Sequence, residues 1–101
     1  ANLADAMAGE KHEFTEMYPP MLARAVAEGN RRAMRSMRFA LEVEKIHYEL
    51  FEAALAAIAA GTDLAVMTVH ICPICGHTVI DGAPDACPVC GCKGDRFEEI
   101  A

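Results

Sequence analysis

HICPICG, His70–Gly76, and DACPVCG, Asp85–Gly91, decide the fold of the last third of this chain. Each places two cysteines three residues apart and closes on a glycine: Cys72 with Cys75, then Cys87 with Cys90. In such a tight turn successive backbone N–H groups can point at the sulfurs, and the glycine permits positive φ. Two facing turns of this kind surround one ion with four thiolates in a tetrahedron. Zinc and iron both accept that donor set. Ligand type alone therefore leaves two readings open, a structural zinc ribbon or an iron centre that passes single electrons. Residues 70–101 read as one small metal-binding unit, with Val79, Ile80 and Phe97 as its apolar shell.

All five cysteines lie between positions 72 and 92. The N-terminus shows no basic stretch leading into an apolar core, so a reducing, cytoplasmic setting is expected and metal binding is preferred to disulfides. Cys92 follows Cys90 by two residues and breaks the turn spacing; it reads as a free thiol outside the ligand set. His70 is expected to pack beside the first turn, and His12 and His77 to lie on the surface.

Toward the N-terminus the composition changes near Gly61. Residues 1–60 are rich in Ala, Leu, Met, Glu and Arg, which are good helix formers. Leu3, Met7, Glu10, Phe14, Met17 and Met21 recur in steps of four and three. After the turn signal Gly29-Asn30 the rhythm resumes with Met34, Met37, Leu41, Glu44, Tyr48, Phe51, Leu55 and Ile58. The spacing predicts two antiparallel helices joined by a short turn. Pro19-Pro20 predicts a kink in a helix that continues, because Met21 keeps the phase of the seam. Residues 61–69 are expected to link the two units, with Gly61 placed to cap the second helix.

A helix pair cannot shield this seam alone, and an apolar surface of that extent marks an interface. The hairpin is therefore expected to complete a four-helix bundle with a partner. Glu10 and Glu44 lie on the seam itself, where an unpaired carboxylate is very costly. Glu13 follows Glu10 by three residues and His47 follows Glu44 by three, so each helix turns two donors the same way. Glu13 and Glu44 stand roughly 24 and 21 Å from the turn, within one helical turn of each other. Carboxylates with imidazole suit iron or manganese. The plainer reading is a buried ion pair, Glu44 with His47 or Glu10 with an arginine.

The remaining numbers set bounds. Net charge is −6, from nine basic and fifteen acidic residues, which argues against a nucleic-acid partner. No apolar run is long enough to span a membrane. Arg24, Arg31, Arg32, Arg35 and Arg38 read as a solvated face paired with Glu28 and Glu42, and the methionines as core or interface packing.

Taken together, the two halves resemble the rubrerythrins. GEKHEFTEMYP, Gly9–Pro19, is similar to that family's third bundle helix, EKIH, Glu44–His47, to the Glu-x-x-His of the fourth, and the two cysteine turns to its rubredoxin-like domain. The resemblance implies an α+β chain: a helical hairpin at 1–60 that completes a ferritin-like di-iron bundle, and a rubredoxin-like FeS4 domain at 70–101. It implies that Glu10 bridges two irons, that Glu13, Glu44 and His47 are further ligands, and that Tyr18 hydrogen-bonds a ligating carboxylate. Cys72, Cys75, Cys87 and Cys90 would hold the single iron. The implied activity is reduction of hydrogen peroxide to water, with electrons passing from rubredoxin or a reductase to the FeS4 centre and on to the di-iron site. This sequence departs from the family in lacking the first helix pair. Either this is a half-sized member, with a homodimer or a second chain supplying that pair, or it is the C-terminal portion of a cut or split protein. Without that pair, the alternatives are an electron carrier, an iron-oxidising or storage protein, or an inactive half with only the four-cysteine site filled.

Overall fold

The computed structural model describes residues 2–62 and 68–100. The chain divides into two compact units, 1–64 and 65–101. The expected linker, 61–69, falls largely on residues 63–67, outside those described.

The first unit is a helical hairpin. Its first arm runs through α1 (Asn2–His12), a π-helical segment (Glu13–Met17) and α2 (Tyr18–Ala27). The second arm is α3 (Arg31–Ala59), against which α1 and α2 both pack. The turn follows from its residues. Asn30 N–H donates to the Ala25 carbonyl at 3.0 Å and Gly29 N–H to Val26 at 3.1 Å, which ties off the last turn of α2. The Asn30 side chain then accepts from Ala33 N–H at 3.1 Å and caps α3. At the far end Thr62 N–H reaches Ala57 and Gly61 N–H reaches Ile58, both at 2.9 Å.

The prolines are accommodated differently from expectation. The first arm does continue, but through a π-helical segment just ahead of Pro19-Pro20. Tyr18 N–H donates to Glu13, five residues back. A π segment holds one extra residue, so the face downstream of it rotates. Met21 leaves the seam and is 46% exposed, whereas Ala25 comes in and is 5% exposed. On α3 the buried residue is Val43, and Ile58 is 60% exposed. The other seam residues stay half-buried. An edge-to-face contact of Phe14 with Tyr48, centroids 5.6 Å apart, ties the arms together. Arg24 pairs with Glu28 at 3.0 Å as expected. Among the described residues Glu42 makes no ion pair, and Arg35 lies over the Phe39 ring instead.

The second unit is built on a three-stranded antiparallel sheet of order β2-β1-β3. Its strands are β1 (Val69–Ile71), β2 (Thr78–Ile80) and β3 (Glu98–Glu99). His70 is paired with Val79 on one side and Glu99 on the other. The cysteine turns follow β1 and precede a short 3-10 turn, Gly94–Arg96. Gly94 allows two strands of backbone to meet, since a Cβ there would collide with the Pro84 carbonyl. His77 departs from expectation: it is 8% exposed, stacked edge-to-face on Phe97 with centroids 6.3 Å apart. Its ring is drawn inward because the turn's hydrogen bonds fold residue 77 back over the first knuckle.

Candidate functional site

The two cysteine turns are built alike. Gly76 N–H donates to the Cys72 carbonyl at 2.8 Å, and Gly91 N–H to Cys87 at 2.9 Å. Gly76 and Gly91 take φ of 88° and 80°, a region that favours glycine. Cys72 N–H then donates to His77 and Cys87 N–H to Cys92, both at 2.8 Å, closing each turn. The four predicted sulfurs, of Cys72, Cys75, Cys87 and Cys90, lie within 4.8 Å of one another. Cys72–Cys90 is 3.6 Å and Cys75–Cys87 is 3.7 Å. A tetrahedron with metal–sulfur bonds of about 2.3 Å has edges of about 3.8 Å, so the donor set fits one iron or zinc with little adjustment. Cys72 and Cys87 are buried, while Cys75 and Cys90 are half-buried.

The thiols are not equivalent. Burial raises the Cys72 thiol, but the backbone N–H groups of Cys75 and Ile74 and the sulfurs of Cys92 and Cys90 outweigh it and bring it down to about 6. Cys75 moves the other way: desolvation and the close sulfurs of Cys87, Cys72 and Cys90 push it up, against a donor from His77 N–H at 3.4 Å. Hydrogen bonds favour the charged sulfur, and burial and like charge disfavour it.

In the hairpin, Glu10, Glu44 and His47 converge, with donor atoms within 4.8 Å of one another. His47 Nδ1 is 3.4 Å from Glu10 Oε1 and 3.6 Å from Glu44 Oε2. The side chains are largely buried, His47 being 25% exposed and both carboxylates 16%. Glu10 Oε2 is buried with no hydrogen-bond partner. A buried carboxylate oxygen in that condition fits a cation, because leaving it unpaired is costly. The donor that meets Glu44 and His47 is Glu10 rather than Glu13, whose side chain lies outside the group. Glu10 and His47 are almost equidistant from Gly29, so the turn brings them level, and Glu13 sits on the π segment, nearer the turn. Tyr18 is half-buried at the start of α2, and among the described residues its hydroxyl donates to neither Glu10 nor Glu44.

Cys92 is free and outside the compact set, as its spacing suggests, but spacing alone did not place it beside the ligands. Cys92 lies 3.4 Å from Cys72 Sγ, against the ligand set. Its signal was in the parallel of CPICGH with CPVCGC, which makes Cys92 the counterpart of His77.

Hard oxygen and imidazole donors on a helix pair, and a tetrathiolate on paired knuckles, define a non-haem metalloprotein with two chemically distinct centres. The rubrerythrin family model matches residues 1–55, and that of the rubrerythrin rubredoxin-like domain matches residues 70–98. Rubrerythrin-2 of Clostridium acetobutylicum is 41% identical over 97 residues, covering 96% of this chain and 53% of that protein. Nigerythrin of Nitratidesulfovibrio vulgaris is 34% identical, covering 95% of this chain and 46% of its own length. A solved structure of fully reduced, all-ferrous nigerythrin superposes with a TM-score of 0.87 at 32% identity, covering 98% of this chain and 48% of that one. The chain belongs to the rubrerythrin family. It spans about half the length of the relatives it matches. Its four clustered cysteines are the family's site for a single iron. Among the described residues no helix is long and apolar enough to cross a membrane.

Proposed function

We propose that this chain carries one half of the ligand set of a di-iron centre, together with a complete FeS4 centre, in an oxidoreductase that reduces hydrogen peroxide to water. The convergence of Glu10, Glu44 and His47 around a buried, unpartnered carboxylate oxygen is the observation that supports it most. When bound, paired ferrous ions would supply the electrons for cleaving the peroxide bond, and the thiolate-held iron would replenish them one at a time.

In this reading Glu10 and Glu44 would provide the negative charge that holds the cations, and Glu10, with one oxygen toward His47 and one unpartnered, could offer both its oxygens to them. His47 contributes its imidazole nitrogen. Glu13, one turn on from Glu10, would join the set as a further carboxylate free to shift with oxidation state. Tyr18 orients a ligating carboxylate through its hydroxyl. Three converging donors are too few for two octahedral ions. The remainder comes from a second helix pair, which also covers the half-exposed seam. Electrons arrive from a rubredoxin or a reductase docking at the thiolate unit.

Rapid mixing of the reduced, iron-loaded assembly with peroxide or with oxygen tests this. Peroxide should reoxidise the hairpin iron at least tenfold faster than oxygen, and Glu44→Ala should remove that phase while leaving the FeS4 absorption intact. Equal rates with the two oxidants would refute the peroxide assignment.

A further inference from the structure

The fifth cysteine is placed by the fold rather than left over. Cys92 ends the second knuckle as His77 ends the first: Cys87 N–H donates to the Cys92 carbonyl as Cys72 N–H does to His77, at 2.8 Å in both. That pairing fixes the Cys92 backbone, and its sulfur then lies 3.4 Å from Cys72 Sγ. Its sulfur is not within ligand reach of all four others, and the compact set remains Cys72, Cys75, Cys87 and Cys90. Cys92 thus sits outside the edge formed by Cys72 and Cys90, which is 3.6 Å long.

We propose that Cys92 is a positioning thiol of the FeS4 centre, whose S–H donates to the ligating sulfur of Cys72 and favours the reduced iron. The reason is electrostatic. Metal-bound thiolates can only accept, so across the 3.4 Å contact the S–H that donates is that of Cys92. A donor to a charged sulfur is stronger than one to a neutral acceptor. The ferrous tetrathiolate carries one more negative charge than the ferric, so the donor stabilises the reduced state more. Hydrogen bonds to sulfur are among the levers that set the potential of such centres. At the first knuckle the equivalent place is taken by an imidazole packed on Phe97, so the two halves of the site are electronically unequal.

The proposal rests on iron at the four cysteines and is independent of the peroxide reading, because its test measures potential and not turnover. Wild type, Cys92→Ala and Cys92→Ser are loaded with iron as full chains and titrated through their reduction. Cys92→Ala should retain one iron with its thiolate-to-iron absorption and shift to a more negative potential. Cys92→Ser, which keeps a hydroxyl donor, should fall between it and wild type. An unchanged potential in Cys92→Ala would overturn the proposal. So would loss of the iron from both variants while Cys90→Ser keeps it, which would make Cys92 a ligand.

Discussion

The thiolate unit and the helical hairpin solve the same problem, holding a cation, to different degrees of completion. The four sulfurs come from two local turns within 19 residues, each closed by its own backbone hydrogen bonds, and together they satisfy a tetrahedral ion. The hairpin brings only two carboxylates and one imidazole together, from helices whose shared seam remains half-buried. Local turns can finish a site because their geometry is set by a handful of φ/ψ angles. A site on helix faces is finished only when every helix of the bundle is present.

The largest effect that would sharpen this contrast is Cys87→Ala. Removing one ligand forfeits part of a metal contribution on the order of 10 kcal/mol, so the thiolate unit should melt well below wild type while the helical circular dichroism barely changes. Concerted loss of both signals would break the picture of two separate units. Next in size is the response to acid. In the metal-free unit the lowered Cys72 thiol contributes stability that is present above 9.0 and lost as pH falls toward about 6. The raised Cys75 thiol acts oppositely, contributing below 9.0 and losing its contribution as pH rises through its folded value. Metal must displace the Cys75 proton near neutrality, and below about 6 the Cys72 proton as well. A chelator-competition series should therefore show log affinity against pH steepening by about one as pH falls through that value. A constant slope would mean that the Cys72 thiol is not lowered. The smallest effect concerns the hairpin alone. Asn30→Ala removes the cap on α3 and should lower helix stability by about 1 kcal/mol, seen in thermal melts, with no change in iron bound by the cysteines. A shift in that iron's potential would imply that the units communicate.

The paired cysteine turns, the helix seam, the Gly29-Asn30 turn and the Glu44-x-x-His47 pair were all legible, because each rests on spacing within a few residues. Three features were not. The π segment inserts a residue ahead of Pro19 and turns Met21 outward, an event that a regular 3.6-residue period cannot anticipate. Glu10 rather than Glu13 meets His47, because the turn and the packing of the arms set their relative height. His77 was expected on the surface, yet the closing of the knuckle folds it under Phe97.

By itself, the sequence determined the donor atoms and the elements that carry them, since thiolates in Cys-x2-Cys turns and carboxylates on a helix seam are local choices with local geometry. The tertiary structure alone decided which donors share a site and that Cys92 lies against the iron ligands. Those outcomes depend on distances of 3.4 to 3.7 Å between residues far apart in the chain, and only the packed backbone sets them.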